Sequence, residues 1–263
     1  MITTLAIIFF VLGLAIGSFL NVVIFRYNTH RSFRGHSGCM TCQKKLSWYE
    51  LVPVFSFLFL KGRCKGCKTR ISVQYPIVEV VTGFIFMGLF LKLQNIFFLD
   101  TFGFTVSYAY YAIIFSLLLV ISIYDLKHKI IPDPLALVLG FLSFVGLFLF
   151  SNYNFHLHFP SLMEFLSGIL IASPFAILWL VSKGEWMGLG DAKLAISFGW
   201  FLGILPAISG LVLAFWTGAI FGLVLIAFSK KHGMKSEIPF APFLVFGVIM
   251  VFIFELQFFP MLF

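Results

Sequence analysis

The sequence predicts an all-α polytopic membrane protein: about eight transmembrane helices, with a small zinc-binding cytoplasmic loop domain between helices 1 and 2. Three observations carry that expectation. Hydrophobic residues make up 61% of the 263-residue chain and charged residues 11%, where soluble domains carry ~25% charged residues; the mean hydropathy is +1.06. Apolar runs of roughly the 20 residues that a membrane span requires recur along the chain. The basic residues, finally, fall almost wholly between alternate runs.

The runs are 3–25, 73–93, 104–124, 134–151, 161–182, 192–208, 211–229 and 239–259. The first is too long for a signal h-region, no basic residue precedes it and no small-residue cleavage site follows, so it reads as a retained helix. Pro206 and Gly210 leave almost no polar turn between the sixth run and the seventh. Alternation puts the loops 26–72, 125–133, 183–191 and 230–238 on one side. All 18 Lys and Arg except Lys92 lie in or beside those loops. The positive-inside rule makes that side cytoplasmic and puts both termini outside. The net charge of +8 then reflects orientation and contact with anionic membrane lipid, and no nucleic-acid partner is expected.

The loop 26–72 holds all four cysteines, as "CMTC" (Cys39, Cys42) and "CKGC" (Cys64, Cys67). Two C-x2-C pairs at this separation are the pattern of two knuckles that close a tetrahedral thiolate site on Zn2+. Gly38 and Gly66 are expected to supply the tight turns. A cytoplasmic loop is reducing, which favours ligation over disulfides, and a loop too small for its own core gains folding energy from metal. Four thiolates leave no coordination position open, so the site reads as structural. The competing reading is four reduced or redox-active thiols without metal.

The acidic residues divide by place. Asp100, Glu164 and Glu255 fall near the outer border, Glu50 in the cysteine loop and Glu237 beside the last cytoplasmic loop; these read as solvated or interfacial. Asp125 closes the apolar run "FSLLLVISIYD" and Asp191 opens "DAKLAISFGW", at the same cytoplasmic border. Ionisable residues at such depth are costly and point to function. Gly188 and Gly190 strip side chains from the backbone beside Asp191, allowing close approach or positive φ, a setting suited to an extended peptide. Two carboxylates brought together share one proton, so one takes a proton from water while the other polarises a carbonyl. Other readings are a helix cap at Asp191, or a transporter or ion pathway using membrane carboxylates; a transporter, however, places its acids near the midplane, often in inverted repeats.

The motifs narrow these alternatives. "GLGD" (Gly188–Asp191) resembles the GxGD signature of intramembrane-type aspartic proteases, and the chain is similar nearly end to end to the type IV prepilin leader peptidases. "GLAIGSFLNVVIFR" (Gly13–Arg26), the cysteine loop through "YPIVE", "DLKHKIIPD" (Asp125–Asp133), "GLGDAKL" (Gly188–Leu194) and "IPFAPFL" (Ile238–Leu244) resemble that family's motifs in order. The resemblance implies an enzyme of the bacterial inner membrane that removes the leader of prepilins or secretion pseudopilins on the cytoplasmic side. Asp125 and Asp191 carry over as its catalytic pair, with Gly188 and Gly190 beside them. It further implies methylation of the new N-terminus from S-adenosylmethionine, with Glu79 associated with that step, although no glycine-rich strand–turn–helix motif marks a donor site. The implied division is a first transmembrane helix (1–25), a four-cysteine zinc loop (26–72) and a membrane-embedded peptidase domain (73–263).

Overall fold

The computed structural model describes residues 1–29, 35–228 and 238–258. Arg31, Arg34, Lys230, Lys231, Lys235 and Glu237 lie outside the described residues. The chain forms two compact units, Met1–Gln94 and Asn95–Phe263.

Every predicted run coincides with a helix: α1 (Ile2–Arg26), α3 (Gln74–Leu99), α4 (Thr101–His128), α5 (Asp133–Leu149), α6 (Leu162–Ser182), α7 (Leu189–Leu202), α8 (Ile204–Phe228) and α9 (Ala241–Phe254). A short helix α2 (Phe55–Phe59) lies in the cysteine loop. Helices α1, α3, α4, α6 and α8 are long and apolar enough to cross a membrane; α5 and α9 are apolar but shorter. The protein is a helical, multi-pass membrane protein.

Two boundaries differ from expectation. The sixth run does not continue to 208. Helix α7 stops at Leu202 because Gly203 takes φ +80°, a conformation open to glycine. Pro206 then falls in the first turn of α8, where a missing N–H leaves no bond unmade, and Gly210 lies inside that helix rather than in a turn. The fourth run ends early as well. Phe150–Ser151 (β1) pairs antiparallel with Asn154–Phe155 (β2), and the intervening Asn152 and Tyr153 both have positive φ, 49° and 66°, as a type I′ hairpin turn requires.

In the N-terminal unit, α1 lies close against α3. A methyl group on Gly17 would sit 2.7 Å from the Glu79 Cα, and one on Gly13 2.8 Å from the Gly83 Cα, so this is small-residue helix packing of the membrane kind. In the C-terminal unit an aromatic cluster joins α4, α7 and α9. Phe201 stacks on Phe252 at 5.3 Å, and Phe115 meets Phe252 edge-on at 5.1 Å. Asp125, Asp191 and Ala241 each lie 10 or 11 residues along their helices from this cluster, roughly 15–17 Å at 1.5 Å per residue, and at the same end.

Candidate active site

Helix α4 delivers Asp125 in its last turn and α7 delivers Asp191 in its first. Both are buried, at 5% and 8% exposure, and the segments that carry them touch, with Gly190 against Ile131 and Lys193 bonded to Asp133. The two motifs therefore meet in space. Asp191 is not a helix cap: the N-cap of α7 is Gly188, with no side-chain capping bond, and Asp191 Oδ1 is buried without a hydrogen-bond partner among the described residues. Buried polar atoms are almost always paired, so this orphan acceptor marks a group kept ready for something other than the fold.

Asp125 is held differently. An anion in the last turn of a helix opposes the helix dipole. The start of α9 offsets this, because the Ala241 N–H donates to Asp125 Oδ2 at 3.3 Å. The sequence pattern contained this segment as "IPFAPFL" without revealing its contact. A backbone N–H has no residue-type signature, and only the proline after Ala241, favoured at a helix start, hinted that a free N–H would be presented there.

The two glycines of the motif do different things, and neither has positive φ. Gly190 permits close approach: a methyl there would lie 2.9 Å from Ile131 Cβ, in the loop that follows α4. Gly188 leaves open space, since a methyl would meet nothing nearer than the Gly190 nitrogen at 3.9 Å and Asp191 Oδ2 at 4.0 Å. Lys193, two residues past Asp191, donates to Asp133 Oδ1 at 2.6 Å. That pair ties the start of α7 to the start of α5, and the charge pattern did not single it out.

The N-terminal unit brings the four cysteines together. Their Sγ atoms all lie within 4.8 Å of one another, with Cys39–Cys67 at 3.6 Å and Cys42–Cys64 at 4.0 Å. Ligands 2.3 Å from a tetrahedral centre are about 3.8 Å apart, so this donor set fits a metal ion. The knuckles share one design. Backbone bridges Gly38–Lys45 and Arg63–Arg70 close them, and each turns on a left-handed residue after its second cysteine, Gln43 (φ 55°) and Lys68 (φ 60°). Gly38 and Gly66 do not supply these turns, contrary to expectation, because the reversal falls one residue beyond the C-x2-C segment. The N–H groups of Cys42 and Thr41 lower the Cys39 thiol. The hydrogen bond with the Thr69 hydroxyl, and then its N–H, draws Cys67 down to about 6. Thiolates, the ligating form, are favoured at both.

Glu79 lies on α3, 6% exposed. Its Oε2 accepts the Val54 N–H at 2.7 Å, and the Ser18 side chain also bonds to it. Val54 takes φ 62°, a genuine outlier for a β-branched residue. Glu50, expected in solvent, is instead buried, and its Oε2 accepts the Ser47 N–H at 2.8 Å in a capping box.

Comparison with known proteins gives consistent matches. Residues 11–93 match the Bacterial Peptidase A24 N-terminal domain and residues 112–223 the type IV leader peptidase family. A Myxococcus xanthus protein described as a prepilin leader peptidase/N-methyltransferase is 34% identical over 88% of this chain and 66% of its own length. Proteins of the same description from Stutzerimonas stutzeri and Bacillus subtilis are 31% and 28% identical, over 89% and 94% of this chain and 85% and 93% of theirs. No solved structure matches significantly.

Proposed function

Because the chain belongs to the type IV leader peptidase family, we propose that it removes the leader of prepilins or pseudopilins at the cytoplasmic face of the bacterial inner membrane, with Asp125 and Asp191 as the catalytic pair. The observation that carries this reading is the presence of two buried carboxylates, one with an oxygen unpartnered among the described residues, at one end of three helices whose motifs touch. One carboxylate takes a proton from water as the water oxygen adds to the scissile carbonyl, and the other gives its proton to the carbonyl oxygen. Collapse of the tetrahedral species breaks the C–N bond, and the leaving amine takes up a proton. The proton count belongs to the pair rather than to either residue. The distribution of Lys and Arg supports the cytoplasmic assignment.

The same chain methylates the new N-terminus, a reading supported by the description shared by its relatives. S-adenosylmethionine, when bound, would supply an electrophilic methyl group to the new N-terminal amine, leaving as the neutral thioether while the amine gives up a proton. Zinc is the metal that four thiolates of this spacing select, and Cys39, Cys42, Cys64 and Cys67 hold it.

Cleavage of a prepilin by purified wild type and by Asp125→Asn and Asp191→Asn, followed by mass spectrometry, tests the peptidase reading. Each substitution lowers the rate by at least ~10²-fold while the protein remains folded. Cleavage at the wild-type rate by either variant overturns the assignment.

A further inference from the structure

Helix α1, the cysteine loop and the start of α3 enclose a cavity of about 710 Å3 within the N-terminal unit, in the ~300–1,000 Å3 range of small-molecule sites. Its polar lining is unusually deep. Asn21 is 1% exposed; its Nδ2 donates to the Tyr75 carbonyl at 3.1 Å, which leaves Oδ1 buried and without a partner among the described residues. Glu79 and Glu50, both buried, line the same space. Each uses Oε2 for a backbone N–H. Two buried carboxylates and an amide oxygen thus line one cavity as acceptors, a set that suits a cation or a cluster of donors.

The rest of the lining restricts the ligand further. The rings of Phe25 and Tyr75 stack at 4.7 Å and 14° and border the cavity, presenting a flat apolar surface for a heteroaromatic ring. Arg26, Lys65 and Arg70 also line it, so the cavity has cationic as well as anionic walls and suits a ligand that carries a carboxylate too. A nucleoside that carries both a positive charge and an amino-acid group matches this mixed lining.

We propose that this cavity binds the methyl donor S-adenosylmethionine, with Glu79, Glu50 and Asn21 holding its cationic methionine end and Phe25 and Tyr75 its adenine. This rests on the methyltransferase reading above and adds the location that the sequence left blank. It also gives the metal knuckles a second use, since Cys39 and Cys64 themselves form part of the cavity wall.

The test uses the full-length protein in detergent and labelled S-adenosylmethionine. Equilibrium binding is measured for wild type, Glu79→Gln and Asn21→Leu, with a ligand-free thermal melt of each as the control for folding. Glu79→Gln keeps an acceptor for Val54 but removes the charge. It weakens S-adenosylmethionine by about tenfold or more, as loss of a charge-assisted contact does, and weakens S-adenosylhomocysteine, neutral at sulfur, less. Ultraviolet cross-linking of the bound donor, which needs no variant, places the label near Phe25 or Tyr75. Wild-type affinity in both variants, or a label confined to Asn95–Phe263, overturns the proposal. If the wild type methylates prepilin while either of those results holds, only the cavity assignment fails. If it neither binds the donor nor methylates, the methyltransferase reading fails as well.

Discussion

At Gly188 and Gly190 one residue type answers two demands, and substitution separates them. An added methyl at Gly190 runs into Ile131 at 2.9 Å, so Gly190→Ala destabilises by about 1–3 kcal/mol, the usual cost of overpacking, and displaces Asp191. At Gly188 the methyl enters open space beside the Asp191 carboxylate, so Gly188→Ala melts as wild type does while prepilin cleavage falls. A thermal melt paired with a cleavage assay distinguishes the two; equal melting temperatures would contradict the packing argument. Lys193 and Asp133 make a different case. Their pair is 34% and 64% exposed, and such exposed bridges contribute ~0–1 kcal/mol. Lys193→Ala therefore leaves the melting temperature nearly unchanged, and its effect appears in the cleavage rate, through the placement of α7. The Asp-bearing motifs were legible in the sequence because carboxylates stand out in apolar runs. The Ala241 contact was not, since what it contributes is backbone.

Among the elements, the knuckles yield the most direct prediction. Replacing Cys64 by serine removes one of four thiolates, and the zinc proposed for this site is expected to fall, by elemental analysis, to well below one per chain. Retention of full stoichiometry would argue against the four-cysteine site. Acidification acts in the same direction as protons compete for the thiolates, so metal is retained at neutral pH and lost as pH falls, wild type included. The cysteine spacing announced this element; its turns were misread because Gln43 and Lys68 lack the composition of left-handed positions. The helix pattern was legible for a similar reason, with eight apolar runs matching eight helices. The break at Gly203 was missed because the residues around it are as apolar as those of the helices on either side, and hydropathy does not register φ.

Over the whole molecule, Asp125 and Asp191, the proposed catalytic pair, and the proposed donor cavity belong to different compact units. Stripping the metal from the protein accordingly depresses methylation of a prepilin far more than its cleavage, read from one mass spectrum as the ratio of cut but unmethylated product to methylated product. Equal loss of both would mean that the metal holds more than its own unit. The cavity was not legible in the sequence, because its walls come from α1, the loop and α3 without a contiguous motif. The lengths of α5, α7 and α9 carry one more consequence. At 17, 14 and 14 residues they extend about 26, 21 and 21 Å, short of the ~30 Å hydrocarbon layer, and they are the helices whose first turns supply Asp133, Asp191 and Ala241. Local thinning of the bilayer is one way such hydrophobic mismatch is relieved, and it would bring headgroups and water toward the proposed catalytic carboxylates. Acyl-chain length thereby becomes a control on the reaction, with cleavage in nanodiscs faster in short-chain than in long-chain phosphatidylcholine.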